Sequence, residues 1–301
     1  MSGEHLRIEV NHLTKRYGPV TAVRDLTFTV EPGVVTGFLG PNGAGKTTTL
    51  RMLTGLVSPT SGTATIGGLT YRRLPHPTRT VGAVFDTVAF HPTHTARDHL
   101  RVYAALGGHP DTRVDHLLDE LGLTTAAHRH TRTFSTGMRQ RLNLATALLG
   151  DPRVLLLDEP SNGLDPEGIA WLRDFLRTLA DDGRTILVSS HVLGEIGPLA
   201  QNVVVIRHGE LLACGPWSQL TGPPTVMVGS PHTDALVAAL TGTRTERTGP
   251  DRIRVHGLTA PAIADLAARH SLRVHELTTE VGGLEQLFLR LTAPTGQKDT
   301  R

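Results

Sequence analysis

An α/β layered core followed by a smaller α+β module is the fold class this 301-residue chain predicts, and three observations carry the prediction. Residues 34–39, 154–157, 185–189 and 203–207 are short, nearly all-apolar runs of the kind that form strands buried on both faces. Helix-compatible stretches such as 167–180 separate them, the alternation of a layered sheet. Beyond Leu220, the string Thr221-Gly222-Pro223-Pro224 stops helix and central strand alike.

In chain order, Leu26, Phe28 and Val30 alternate with Thr27 and Thr29, the period of a half-buried strand, and Glu31-Pro32-Gly33 then makes a turn. The strand 34–39 runs straight into Gly40-Pro41-Asn42-Gly43-Ala44-Gly45-Lys46-Thr47, after which 48–56 reads as a helix. A strand follows over 81–85. Segments 95–106, 111–121 and 137–149 have helical periodicity and few strand signals, and are expected to form a helical subdomain over about 91–149. The boundary at Leu220 gives a first domain of 1–220. Past it come strand 225–228, helix 233–240, strands 243–247 and 252–256, helix 260–270, strand 272–277 and a last helix near 284–291. This βαββαβ order predicts a ferredoxin-like module over 225–292, with a loose tail over 293–301.

Composition narrows the function classes. At a usual scale of about 150 residues per domain the chain holds two, and it can bury enough surface to fold without disulfides or a structural metal. With 39% hydrophobic and 19% charged residues, and no apolar run near the ~18 that span a bilayer, it reads as globular. The N-terminus lacks the apolar stretch of a secretory signal and Cys214 is the one cysteine, so a cytoplasmic location is expected. Thirty Lys plus Arg against 28 Asp plus Glu leave +2, far from the basic patch that nucleic acid requires, so no nucleic acid is expected as partner. Only Lys15, Lys46 and Lys298 are lysines, which makes Lys46 stand out.

Lys46 closes the pattern Gly40-x-x-x-x-Gly45-Lys46-Thr47, a P-loop between strand and helix. Its backbone, from Gly40, Pro41, Asn42, Gly43, Ala44 and Gly45 to Thr47 and Thr48, is expected to cradle the phosphates of a nucleotide in an anion nest at a helix N-terminus. Lys46 would reach the β and γ phosphates, and the Thr47 hydroxyl would ligate Mg²⁺. Val154-Leu155-Leu156-Leu157-Asp158-Glu159 adds an apolar strand that ends in two carboxylates at the edge where α/β proteins bind ligands. Asp158 is expected to hold Mg²⁺ through its water shell, and Glu159 to polarise the attacking water. Asp-Glu after a strand can also merely cap a helix; the P-loop gives the pair its chemistry. His91-x-x-His94 lacks the further ligands of a zinc site.

Together these motifs resemble the ATP-binding cassette (ABC) ATPases over residues 6–220, in the family's order. Tyr17, in Lys15-Arg16-Tyr17-Gly18, matches the aromatic that stacks on adenine. Phe134-Ser135-Thr136-Gly137-Met138-Arg139-Gln140 is similar to the signature segment, whose Ser135 hydroxyl and Gly137 amide would hold the γ-phosphate bound by an opposite subunit. Ser161-Asn162-Gly163-Leu164-Asp165 resembles the loop that couples two ATP sites, and His191 matches the switch histidine that contacts the γ-phosphate. Where the family carries glutamine after the strand 81–85, this chain has Asp86, which either binds the metal more tightly or swings to contact the membrane partner. Thr136 likewise replaces the usual small residue of the signature segment.

The resemblance implies a dimer, because one chain holds one P-loop and one signature segment. That dimer is a homodimer or a heterodimer with a second cassette. The segment Gly283-Leu284-Glu285-Gln286-Leu287-Phe288-Leu289-Arg290-Leu291-Thr292 looks like the ending of bacterial cassettes paired with separately encoded permeases, including those for daunorubicin and bacitracin. The expected function is therefore the ATPase subunit of a bacterial ABC exporter of drugs or natural products, held peripherally on the inner face of the membrane by its permease. A cassette acting on ribosomes or DNA is the competing class, but the tandem cassettes or long coiled coil of those types are not found here. For the C-terminal module, dimer stabilisation and ligand sensing are the two expectations.

Overall fold

Every residue of three apolar runs is buried, and they form strands β3 (Val35–Leu39), β6 (Val154–Asp158) and β7 (Thr185–Ser190) at the centre of the larger of two compact units. The computed structural model describes residues 6–85, 90–221 and 225–280. The units are Met1–Gly215 and Pro216–Arg301, a division slightly ahead of the Pro223-Pro224 punctuation.

In the larger unit, β1 (Ile8–Tyr17), β2 (Val20–Val30) and β4 (Ser61–Ile66) make an antiparallel sheet in the order β2-β1-β4. The second sheet runs β5-β6-β7-β3-β8-β9, where β5 is Val81–Val84, β8 Asn202–Arg207 and β9 Glu210–Pro216. Its first five strands pair in parallel, so their carboxyl ends share one edge. Phe28 and Val30 of β2 join Phe38, Leu50, Leu156 and Leu187 in a core between the sheets.

Helix α1 (Lys46–Leu53) begins at Lys46, ahead of the expected Thr48, and stops short of Leu56. Gly55 (φ 69°) sets that end, its N–H donating to the Met52 carbonyl, and the chain's turn leaves Leu56 exposed. After α2 (Pro77–Thr80), the helical subdomain comprises α3 (Ala96–Gly107), α4 (Thr112–Glu120) and α5 (Thr136–Ala147). A reciprocal capping box between Thr95 and Asp98 starts α3, and Arg97–Asp115 and Arg101–Asp111 ion pairs tie it to α4. Helices α6 (Pro166–Asp181) and α7 (Leu193–Ile196) flank β7.

Following α8 (Trp217–Thr221), the smaller unit runs β10 (Thr225–Gly229), α9 (Thr233–Ala239), β11 (Thr245–Gly249), β12 (Arg252–His256), α10 (Ala260–Arg269) and β13 (Glu276–Glu280). Sheet order β11-β12-β10-β13, antiparallel throughout, is that of a split βαββαβ module, with Val226, Val228, Ile253 and Val255 facing Leu236 and Ile263. One strand departs from the expected 272–277. Ser271 turns with φ 54°, and pairing with β10 starts only at Glu276, so Leu272 and Val274 pack against the core from outside the sheet. The expected last helix near 284–291 and the tail 293–301 lie outside the described residues.

His99 on α3 gives the larger unit an acid-sensitive point. It is 3% exposed, packed against the rings of Phe90 and Tyr103, with Nε2 3.2 Å from the Thr146 hydroxyl of α5. Burial, then the charge of His94, lowers its pKa from 6.5 to about 4. The unfolded chain therefore takes up this proton first, so the neutral ring's contribution is complete above about pH 6.5 and is lost as pH falls toward 4. Chemical denaturation at pH 6.5 and pH 4 is expected to show wild type losing about 3 kcal/mol more than His99→Leu over that window. Equal losses would remove His99 from the acid response.

Candidate functional site

The P-loop leaves β3 at its carboxyl end and closes on α1. Gly40 is there because a Cβ would lie 2.5 Å from the Ile206 carbonyl oxygen of β8. Gly45, at φ 105°, is the residue before Lys46, and the first amides of α1 have no intrahelical acceptor. Asn42, Gly43, Ala44, Gly45, Lys46, Thr47 and Thr48 line one side of a cavity of about 650 Å³.

Asp158, Glu159, Asn162 and His191 line the other side, and Tyr17 stands at its margin, 48% exposed. Lys15 Nζ lies over the Tyr17 ring, 4.9 Å from its centre, and donates to the Ser58 carbonyl at 2.8 Å. Gly40 and Pro41 are not part of the lining. Their carbonyls accept from Lys46 Nζ at 2.7 and 3.4 Å and so aim the ammonium.

The carboxylates at the end of β6 have separate partners. Asp158 accepts from the Thr47 hydroxyl at 2.7 Å and from Ser189 Oγ at 2.6 Å. Glu159 pairs with Lys46 Nζ at 3.2 Å and with His191 Nδ1 at 2.8 Å, the Lys46 and Glu159 side chains being 5% and 11% exposed. A buried pair of this kind is held by its full set of hydrogen bonds, and removing one member leaves an uncompensated charge. Glu159 is also one of the few non-glycine residues in the left-handed region, at φ 49°, a conformation that costs about 1 to 3 kcal/mol and is kept only where the surroundings enforce it. Its amide donates to Ser189 Oγ at 2.9 Å, which supplies that enforcement.

Ser189 is the contributor that sequence reasoning missed. Its signal is two serines after the apolar Ile186-Leu187-Val188 of β7, buried polar groups that need a partner. The structure does not bring Ser135 and Gly137 to this cavity. Ser135 caps α5, accepting from the Met138 amide at 3.3 Å, and lines with Gly137 a separate hollow beside Arg129, Arg141 and Trp171. Asp86 falls outside the described residues.

The donor set fits a nucleotide and a hard cation. Backbone amides at a helix N-terminus and a buried ammonium suit phosphate, and the Thr47 hydroxyl with the Asp158 carboxylate offers the few protein oxygens that Mg²⁺ takes alongside water and phosphate.

Residues 23–162 match the family described as ABC transporter, and residues 224–285 match a domain of unknown function, DUF8746. The uncharacterized ABC transporter ATP-binding protein YhcH of Bacillus subtilis is 33% identical over 302 residues, covering 97% of each chain. The bacitracin transport ATP-binding protein BcrA of Bacillus licheniformis is 42% identical over 216 residues, 71% of each chain. The linearmycin resistance ATP-binding protein LnrL of Bacillus subtilis is 30% identical over 96% of this chain and 99% of its own. A solved structure of the ATP-binding subunit of an ABC transporter superposes with a TM-score of 0.65 at 29% identity, covering 71% of this chain and 91% of that one. The chain belongs to the ABC transporter family as an ATP-binding subunit, and its activity is that of an ATPase.

Proposed function

We propose that this subunit powers efflux of a drug or natural product through a separate membrane permease, with hydrolysis at the Lys46–Glu159–His191 site. The observation that carries the hydrolytic reading is the convergence of Lys46, Asp158, Glu159 and His191 on one cavity beside the P-loop. Lys46 and the loop amides bind the phosphates of ATP, and Tyr17 takes the adenine. Glu159 accepts a proton from water as the water oxygen bonds the γ-phosphorus and the bond to the ADP oxygen breaks. His191 orients that carboxylate through Nδ1. Mg²⁺, held by Thr47 and Asp158 with Asp86 as the third candidate, would neutralise charge on the phosphates.

Ser135 and Gly137 lie apart from the P-loop cavity of their own chain, which supports a reading in which they serve the site of a second cassette, in a homodimer or heterodimer. The relatives named for bacitracin transport and linearmycin resistance support the cargo class. Among the described residues no helix is long and apolar enough to cross a membrane, so passage of a cargo needs a partner that is. A groove lined by Leu56, Tyr71, Phe85, Tyr103 and Leu106, with Leu56 66% and Leu106 79% exposed, is the surface we assign to that permease.

Affinity purification of the full chain from native cells in mild detergent with Mg-ATP tests both points. A multi-spanning membrane protein is expected with wild type, and Leu106→Glu is expected to cut its recovery about tenfold, one charge in an apolar contact costing upwards of 1.4 kcal/mol, while basal ATPase stays unchanged. Recovery of ribosomes or DNA-bound proteins without a permease would overturn the transporter reading.

A further inference from the structure

Five hydrogen bonds that use a side chain lace the end of β6 and the loop after it to the end of β7 and the segment after it. Four involve Ser189 and His191: Ser189 to Asp158, the Glu159 amide to Ser189, and the ring and amide of His191 to Glu159. The fifth lies one step further out, where the Ser161 hydroxyl donates to Glu195 Oε2 at 2.5 Å. Ser161 is 8% exposed and opens the loop 161–165; Glu195 sits on α7, directly after His191 and Val192. No ion pair among the described residues includes Glu195, so a carboxylate beside the site is committed to one hydroxyl.

We infer that Glu195 is a positioning residue for ATP hydrolysis, holding Ser161 so that the loop 161–165 and its Asn162 stay against the nucleotide cavity. The inference rests on the ATPase reading of that cavity. At the loop's far end Asp165 accepts from the Gly168 amide at 2.8 Å and caps α6. Between the two anchors the Leu164 amide bonds the Ser161 carbonyl, the Asn162 amide bonds the Glu159 carbonyl, and Gly163 turns at φ 75°. Asn162 faces the cavity together with Glu159 and His191. Without Glu195 the loop keeps only its Asp165 anchor and these local bonds. Because α7 also follows His191, one carboxylate links the loop's position to that of the histidine.

Losing this charge-assisted hydrogen bond, Glu195→Ala is expected to lower kcat by about tenfold or more. The KM for ATP is expected to stay within about twofold, since neither residue lines the phosphate cradle. Ser161→Ala should match it, and the double variant should fall no further than either single one. Glu195→Gln, which still accepts from the hydroxyl, should recover most of the rate, and all variants should stay folded, melting within about 10 °C of wild type, with the same binding of a fluorescent ATP analogue. Multiplying losses in the double variant, a KM that rises as much as kcat falls, or a Glu195→Gln variant as slow as Glu195→Ala would each overturn the proposal. Glu159→Gln run alongside separates the two failures: if that variant still hydrolyses ATP at the wild-type rate, the reading of the cavity falls instead.

Discussion

Glu159→Gln is expected to lose hydrolysis by about 10³-fold while still binding ATP, because the substitution removes a proton acceptor and little else. The amide occupies the carboxylate's volume and can still reach His191 Nδ1, which now lies 2.8 Å from Oε2. The left-handed backbone at φ 49° is set by the Ser189 link to the Glu159 amide, which the side-chain change does not touch. What disappears is the negative charge 3.2 Å from Lys46 Nζ. An unpaired buried ammonium is unfavourable in the free protein, but bound phosphate restores an anionic partner, so nucleotide affinity should hold or rise. Phosphate release in a single turnover and titration with a fluorescent ATP analogue read the two quantities separately. Turnover near wild type would move the water-activating role elsewhere, with His191 the next group in reach. A parallel loss of binding would instead make Glu159 a structural counterion to Lys46.

The central sheet was legible because strands buried on both faces are mostly apolar along their length, and β3, β6 and β7 are, apart from Thr36, Asp158, Thr185 and the two serines that end β7. The P-loop was legible for a related reason: close backbone approach and positive φ leave glycine few substitutes. The antiparallel sheet was read only in part. β1 carries register shifts near Leu13 and Lys15, and they break the alternation that would have announced it, so IEVNHLTKRY shows no clean period of two. Strand β13 was misplaced because Leu272 and Val274 alternate as a strand does yet pack on the module's core without pairing. In the site, Lys46, Asp158, Glu159 and His191 could be named from their motifs, but the bonds that aim them could not. Ser189 to Asp158 spans 31 residues and Ser161 to Glu195 spans 34, and neither spacing follows from local periodicity. Ser135 and Gly137 illustrate the converse. Resemblance assigned them to the phosphate held by an opposite subunit, and within their own chain they line a separate hollow.

Gly45→Ala should be the most damaging single-methyl change in the P-loop, and Gly43→Ala provides its control. Both glycines have positive φ, 105° and 79°, so alanine at either meets a strained backbone worth about 1 to 3 kcal/mol. They differ in what the new methyl touches. At Gly43 there is open space, whereas at Gly45 a Cβ would sit 2.5 Å from the Ala22 carbonyl oxygen and 3.2 Å from Val23 Cγ2. Neither neighbour can yield easily: Val23 is fully buried in the core between the sheets, and β2 is paired along its length with β1. The loop must move instead, and Gly45 is the N-cap of α1, so its movement re-aims the helix's first amides and Lys46 together. Gly45→Ala is therefore expected to weaken binding of a fluorescent ATP analogue by about 100-fold or more, and Gly43→Ala by about tenfold, at 1.4 kcal/mol per factor of ten. Melting temperatures should separate loop distortion from global unfolding, with Gly43→Ala close to wild type. Equal affinities for the two variants would show that strain alone sets the cost and that the contact with β2 does not hold the cradle in shape.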